Sequence, residues 1–211
     1  MSVKKNAGVL THDELVTRLN STKSKERISI TPLIDPDLQI GYNSIDIRLG
    51  TEFIIFKKFG FSHIDPVSSN LKESIGEYQS KTSIGLGKPL ILHSRQFILG
   101  ISLEYIKLPQ DIMAYVTGRS SWARLGLVIA TATAIHANYS GVITLELGNL
   151  GEAPISLYPG VRIAQLIFHK MNPSKTIKRS KYFMSVGPTF TKVCDEPEID
   201  TLKNMLKINK K

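Results

Sequence analysis

Short runs in which hydrophobic and polar residues alternate recur along most of the chain. Residues 44–49 (Ser-Ile-Asp-Ile-Arg-Leu) and 142–147 (Val-Ile-Thr-Leu-Glu-Leu) carry an apolar side chain at every second position, the period of a β-strand with one buried face. Further runs typical of strands lie at 28–30, 53–56, 90–92, 97–101, 113–116, 155–157 and 163–168. Glycine and proline separate these runs, and we expect Gly50 to end the strand that begins at residue 44. Many short strands at this spacing predict a mainly β fold, either a barrel or a jelly roll.

Residues 10–20, which precede the first of these runs, predict a short helix. Thr11 and Glu14 have the spacing of a capping box, in which two side chains satisfy unpaired backbone N–H groups at a helix start. Leu10 and Leu15 flank the box at the spacing of a hydrophobic staple. We therefore expect an N-terminal helix here.

Three other segments interrupt the strand pattern. Residues 120–126 suit a single helical turn, which Gly126 would end. The stretch 60–84 is polar and irregular, and it predicts a long loop. We expect one domain over residues 1–195, followed by a basic tail over residues 196–211 that can form a last helix.

Composition indicates a globular protein rather than a membrane protein. The chain has 211 residues, 42% of them hydrophobic, and a mean hydropathy of −0.03. No stretch approaches the roughly 20 apolar residues of a membrane span, and the charged N-terminus lacks the apolar core of a secretory signal. The single cysteine, Cys194, can form neither an internal disulfide nor a multi-thiolate zinc site. These features fit a cytoplasmic protein.

Charge and histidine spacing narrow the chemistry. The formal net charge of +9 favours polyanionic ligands, although basic residues concentrated near the ends equally suit a solvated surface, and a nucleic-acid partner is not expected. Zinc-dependent nucleobase deaminases carry His-x-Glu and Pro-Cys-x-x-Cys motifs, and this chain has neither. Its five histidines are scattered without metal-binding spacing. The residues therefore argue against a zinc hydrolase.

One segment carries a specific resemblance. Residues 118–126 (Gly-Arg-Ser-Ser-Trp-Ala-Arg-Leu-Gly) resemble the phosphate-binding and active-site segment of the dCTP deaminases, a family of the dUTPase-like superfamily. Weaker blocks at 43–50, 139–146 and 159–168 follow the family's order, and with the tail around residues 181–188 the resemblance spans roughly residues 43–190. It implies a distorted jelly roll that forms a homotrimer with active sites between subunits.

The resemblance also implies the reaction. The family's enzymes are zinc-free hydrolases acting on C–N bonds of cyclic amidines. They convert dCTP to dUTP and ammonia and so supply dUTP or dUMP for thymidylate synthesis. The expected cofactor is Mg²⁺ bound through the triphosphate rather than by protein side chains, and dTTP is a candidate inhibitor.

Family positions assign three catalytic residues. Glu146 falls on the glutamate that serves as general base and then general acid, a task one carboxylate can perform in turn. Ser120 and Arg124 fall on the residues that position the water and stabilise charge near the base, and they lie four apart on one helical face. If the strand alternates strictly, Val142 and Thr144 share the face of Glu146.

The other assigned positions serve binding or structure. Arg119, Ser121 and the backbone amides of the turn are expected to bind the triphosphate, as is Lys181. Trp122 is expected at a subunit contact, and Asp46 to be structural with Arg48 as its partner. The complete set of substrate contacts implied is Arg119, Ser120, Ser121, Trp122, Ala123, Arg124, His136, Thr144, Leu145, Glu146, Lys181 and Ser185.

Two departures from the family pattern leave alternatives open. His136 stands where many members have an aspartate that meets the sugar 3′-hydroxyl, and imidazole can donate or accept there. Ser185 stands where relatives often carry glutamine. Because dUTPases need the matching aspartate, His136 argues against a dUTPase or a bifunctional deaminase and diphosphatase. A non-catalytic nucleotide-binding relative is a third alternative.

Overall fold

A computed structural model describes residues 8–57, 63–68, 71–131, 134–173 and 184–208. The described β-strands are β1 (Gly8–Val9), β2 (Ser29–Thr31), β3 (Ser44–Phe56), β4 (Gln79–Ser83), β5 (Leu90–Leu92), β6 (Phe97–Lys107), β7 (Ile112–Gly118), β8 (Leu127–Ile129), β9 (Ala134–Ile135), β10 (Ser140–Asn149), β11 (Ile155–Leu157) and β12 (Arg162–Lys170). The described α-helices are α1 (His12–Leu19), α2 (Pro36–Gln39), α3 (Leu71–Tyr78), α4 (Ser120–Ala123) and α5 (Pro197–Ile208), and a 3₁₀ turn spans Val193–Asp195.

Ten of the strands form one curled antiparallel sheet. Its main path runs β8-β10-β6-β3-β12-β7-β9, while β1 pairs with β12, β2 with β6 and β4 with β3. The strands β5 and β11 form a separate two-stranded sheet. The curl encloses a core of aliphatic side chains contributed by alternate positions of the long strands. The mainly β fold is therefore confirmed.

The three helical predictions, at the N-terminus, at residues 120–126 and in the C-terminal tail, are confirmed. The Thr11 backbone N–H donates to Glu14 Oε2 at 3.0 Å, as the capping box predicts, and Leu10 and Leu15 are both buried in the core. The single turn α4 forms as expected, and Gly126 beyond it has a φ of +95°. The tail forms α5. Among the described residues no helix has both the length and the apolar character needed to span a bilayer.

The predicted long loop over residues 60–84 is wrong in its second half. There α3 is followed directly by β4, which pairs with the end of β3, Gln79 opposite Phe56. Among the described side chains of α3, the buried ones are Leu71 and Ile75, which lie four residues apart. Because this helix buries so narrow a stripe, its overall composition remains polar and conceals the periodicity.

The expectation that Gly50 ends its strand is also wrong. β3 continues through Gly50, and its register against β6 shifts between Leu49 and Phe53. A Cβ at Gly50 would lie 2.8 Å from Ile101 Cγ1 and 3.1 Å from the Ser102 carbonyl oxygen. The glycine therefore permits a close approach of β6 inside a continuous strand.

Candidate active site

A cavity of about 490 Å³ lies beside β10, β6 and the end of β3. This volume is typical of small-molecule sites. It is lined by Phe56, Gln79, Phe97, Leu99, Thr131, Ala134, Ile135, His136, Tyr139, Ile143, Thr144, Glu146, Thr189 and Thr191. Three of the predicted substrate contacts, His136, Thr144 and Glu146, therefore meet in one cavity.

Strand register explains why these side chains share a face. Glu146 on β10 lies opposite Leu99 on β6, and Leu99 lies opposite Ile54 on β3. Two residues along, Phe56 lies opposite Gln79, and its ring packs 5.3 Å from that of Phe97. Residues two apart on a strand point to the same side, so these rows form one continuous wall.

Two hydrogen bonds fix the backbone of Glu146, and the pKa of its carboxyl is raised. Its N–H donates to Thr131 Oγ1 at 3.0 Å, and its carbonyl accepts from the Ala130 N–H at 2.8 Å. Burial raises the pKa of the Glu146 carboxyl above the ordinary glutamate value. A carboxyl group shifted in this direction is better suited to both take up and release a proton near neutral pH.

A bulge in β6 fixes the part of β10 that precedes Glu146. Val142 pairs with Tyr105 and Thr144 with Ile101, so that three residues of β6 stand opposite the single Ile143. The Ile143 N–H donates instead to the fully buried Ser102 Oγ at 2.8 Å, and that hydroxyl donates to the Glu104 carbonyl at 2.7 Å.

The alternation predicted along β10 is confirmed from Ile143 onward. Ile143, Leu145 and Leu147 belong to the core, whereas Thr144 and Glu146 are partly exposed and line the cavity. Val142, at the start of the bulged stretch, is buried, unlike Thr144 and Glu146. The Leu145 side chain is fully buried, so it is not available to a substrate.

The segment that begins at Met184 returns to the edge of the cavity. The Val142 N–H donates to the Ser185 carbonyl at 2.9 Å, and the Met184 N–H donates to the Ser140 carbonyl at 2.8 Å. The Ser185 hydroxyl donates to the Gly187 carbonyl at 2.6 Å. Ser185 therefore shapes this segment, and Thr189 and Thr191, farther along it, are the residues that line the cavity.

The cavity wall includes a neutral phenol and an exposed imidazole. The Tyr139 hydroxyl donates to the Val142 carbonyl at 2.6 Å, and burial raises the pKa of Tyr139 to about 12. His136 is exposed to solvent. The wall therefore combines polar groups with aromatic and aliphatic surface.

The turn α4 presents a different set of groups. Ser120, Ser121, Ala123 and Arg124 are exposed, whereas Arg119 and Trp122 are partly buried. Arg119 Nη1 and Trp122 Nε1 both donate to the Arg162 carbonyl, at 3.2 and 2.9 Å. Trp122 thus packs within its own chain, and its predicted subunit contact stays a prediction.

Asp46 anchors this turn, and its predicted pairing with Arg48 is wrong. Its Oδ2 lies 3.1 Å from both Arg119 Nε and Arg162 Nη1. Burial raises the pKa of Asp46, against the lowering effect of the two guanidinium groups. Arg48 instead pairs with the buried Glu104 at 3.4 Å. An extra residue in β12 between Arg162 and Ala164 shifts the register and brings Arg162 to Asp46.

A single chain does not bring α4 into the Glu146 cavity. The carbonyl of Gly126, just beyond α4, accepts a hydrogen bond from the Leu150 N–H. Leu150 lies four residues past Glu146, which separates the two by roughly 13 Å along an extended strand. Ser120 and Arg124 are not among the residues that line the cavity. Lys181 lies outside the described residues.

Comparison with known proteins identifies the family. The family model described as dCTP deaminase-like matches residues 9–171. The chain belongs to the dCTP deaminase-like family. It is 41% identical over 175 residues to the "dCTP deaminase, dUMP-forming" of Dictyoglomus turgidum, covering 80% of this chain and 88% of that protein. It is 40% identical over 177 residues to the "dCTP deaminase" of Natronomonas pharaonis, covering 81% and 89%.

A solved structure of the family supports the fold. The 2′-deoxycytidine 5′-triphosphate deaminase from Agrobacterium tumefaciens matches with a TM-score of 0.57 at 20% identity. The match covers 78% of this chain and 48% of that one, so that this chain spans about half of the solved structure.

Several cavity residues were missed by the sequence patterns. Gln79 lies in the stretch interpreted as a loop, and Phe56 and Phe97 resemble ordinary core residues of strands. The two-residue period of strands would have placed both rings on one face had the strands been paired correctly. Within the described ranges, no group of three or more His, Cys, Asp or Glu side chains is placed to hold a metal ion.

Proposed function

We propose that this protein is a dCTP deaminase, which hydrolyses the C4–N4 bond of the cytosine ring to give dUTP and ammonia. The observation that carries the proposal is Glu146, a carboxyl with a raised pKa in the wall of a nucleotide-sized cavity. Family membership and relatives named for this reaction support it.

In the proposed reaction Glu146 first takes up a proton and then releases it. The Glu146 carboxylate takes a proton from a water molecule as the water oxygen bonds to C4. Attack moves the C4–N3 π electrons onto N3. The resulting carboxylic acid then delivers its proton to N4, the C4–N4 bond breaks and ammonia leaves, while the second water proton passes from the new C4 hydroxyl to N3 and the C4 carbonyl forms. Such positioned acid–base catalysis contributes roughly 10²- to 10⁴-fold.

The remaining catalytic groups would come from a neighbouring copy of the chain. In one chain Ser120 and Arg124 are exposed and lie away from the Glu146 cavity. A homotrimer in which α4 of one copy faces the cavity of the next would place both beside the reacting base. Arg124 would stabilise charge that develops on the ring, and Ser120 would orient the water.

The triphosphate would lie against α4. Arg119 and Ser121 supply a guanidinium group and a hydroxyl, which suit phosphate oxygens. Mg²⁺ would accompany the nucleotide, because the groups at α4 are donors and cations that fit the phosphates rather than the metal. We also propose that Lys181 contacts the triphosphate, that dTTP inhibits the enzyme and that the protein is cytoplasmic.

One of the comparisons favours dUMP, rather than dUTP, as the product. The relative from Dictyoglomus turgidum is named dUMP-forming, whereas the one from Natronomonas pharaonis is named only dCTP deaminase at nearly the same identity. His136 is the cavity residue that bears on this choice, because it stands where an aspartate would serve diphosphate cleavage. We propose dUTP as the main product.

A product assay with dCTP and Mg²⁺ tests the function. Release of ammonia with dUTP supports the primary proposal, whereas dUMP with pyrophosphate supports the second. Binding of dCTP without turnover would show a non-catalytic nucleotide-binding protein.

Mixing inactive variants tests the shared site. Co-refolded Glu146→Gln and Arg124→Ala chains should recover activity, because some sites would combine an intact Glu146 with an intact Arg124. Ser120→Ala mixed with Arg124→Ala is the matched control, since Ser120 and the α4 C-cap Arg124 come from the same copy and no site regains both. Equal recovery in both mixtures would contradict a shared site.

A further inference from the structure

Gln79 is a buried polar residue in the cavity wall that the proposed mechanism does not use. It begins β4, is 5% exposed, and lines the same cavity as Glu146. Its amide oxygen is completely buried and accepts no hydrogen bond within the described part of the chain. Buried side-chain oxygens without a partner are rare, because each loses its hydration without replacement.

The other buried glutamine shows what full satisfaction looks like. The Gln39 amide nitrogen donates to the Asp46 carbonyl at 3.0 Å and to Glu104 Oε1 at 3.1 Å. Its oxygen accepts from the Asp35 N–H at 3.1 Å. The fold therefore satisfies a buried glutamine where the residue is purely structural, and the exception occurs where the side chain borders the cavity.

The surroundings of Gln79 favour a ligand as the missing partner. Its strand neighbour Phe56 packs against Tyr78 and Phe97, at ring separations of 5.2 and 5.3 Å. The rings of Phe56 and Phe97 supply no conventional donor, and the Tyr78 hydroxyl makes no hydrogen bond to the amide oxygen. Strand register puts Gln79 on the same sheet face as Glu146, so that a nucleotide in the cavity lies between them.

We propose that Gln79 is a substrate-recognition residue: rotation of its terminal amide turns the oxygen toward the cavity, where it accepts a hydrogen bond from a donor group of the bound nucleotide. The proposal rests on the proposed function for the identity of that nucleotide. Two groups of dCTP carry the required chemistry, the amino group of the base and the 3′-hydroxyl of the sugar. The orphaned oxygen is then a cost to the empty protein that the substrate removes.

Replacement by methionine separates this role from a structural one. Gln79→Met keeps the length of the side chain and removes the unsatisfied oxygen, so we expect the melting temperature without nucleotide to rise by a few degrees. The same change should weaken dCTP binding by about 3- to 10-fold, because a substrate donor loses its acceptor. Gln39→Met is the control and should lower the melting temperature, because it breaks three hydrogen bonds.

Nucleotide analogues identify the donor. If the amino group is the partner, Gln79→Met weakens binding of dCTP and 2′,3′-dideoxy-CTP alike but leaves dUTP unchanged. If the 3′-hydroxyl is the partner, it weakens dCTP and dUTP and leaves dideoxy-CTP unchanged. Unchanged affinity for all three nucleotides, or a lowered melting temperature, would overturn the proposal.

The readouts also separate this inference from the proposed function. Wild-type protein that neither binds nor converts dCTP would refute the function itself. Wild-type protein that converts dCTP, with Gln79→Met indistinguishable from it, would refute only the role of Gln79. Gln79→Leu provides a second apolar variant if the methionine form does not fold.

Discussion

Removal of the Ser102 hydroxyl should loosen the strand that carries Glu146. In Ser102→Ala the buried Ile143 N–H loses its 2.8 Å acceptor, and the Glu104 carbonyl loses its 2.7 Å donor. An unsatisfied buried donor costs about 1–3 kcal/mol, and a lost neutral hydrogen bond about 1 kcal/mol. Because the carbonyl has a second lone pair, we expect a net loss of about 2–3 kcal/mol.

The assay combines thermal melting with steady-state kinetics. For a domain of this size 1 kcal/mol corresponds to roughly 2–4 °C, so Ser102→Ala should melt about 4–12 °C below wild type. Its kcat should fall more than its KM rises, because Thr144 and Glu146 directly follow Ile143 on β10, opposite the bulge. Ser102→Thr retains the hydroxyl and should recover most of both losses. An alanine variant that melts and turns over like wild type would refute this account of the bulge.

Three further changes have defined outcomes. Asp46→Ala leaves Arg119 without its ion-pair partner, so KM for dCTP should rise at least about tenfold with a smaller change in kcat; an unaltered KM would exclude the anchoring role. Burial raises the pKa of Glu146, so the carboxyl favours folding below its unfolded pKa and loses that contribution as pH rises through its folded pKa. Glu146→Gln should therefore have a higher melting temperature than wild type at pH 8 and no higher one near pH 4. A difference in melting temperature that stays constant with pH would contradict this. Gly141, with φ +150°, lies where an added Cβ would meet the Ser185 backbone oxygen at 3.0 Å, so Gly141→Ala should release the returning segment, as faster limited proteolysis near residue 185 would show.

The sequence predicts those parts of the fold that depend on local periodicity. The capping box at Thr11, the turn at 120–126 and the alternation at 142–147 each arise from residues close together in the chain, and they correspond to α1, α4 and β10. Where the register slips, local patterns fail, because a bulge depends on the partner strand. Gly50 was misplaced for this reason.

The candidate site was predictable only as far as its motifs extend. The resemblance at Glu146 and His136 located one wall of the cavity, while Gln79 lay inside a stretch whose helix buries too few residues to be recognised. The partners of Asp46 depend on a one-residue shift in β12. No pattern within 44–49 contains that information, so the nearer Arg48 was the natural but wrong choice.

The proposed function depends most directly on the Glu146 carboxyl. Wild-type protein and Glu146→Gln, which keeps the shape of the side chain but removes its proton-transfer chemistry, should be compared in dCTP turnover with Mg²⁺ at neutral pH. The account predicts ammonia and dUTP from wild type and a loss of at least about 100-fold in kcat for the variant, with dCTP binding retained. A variant that keeps wild-type turnover, or a wild-type protein that releases no ammonia, would contradict it.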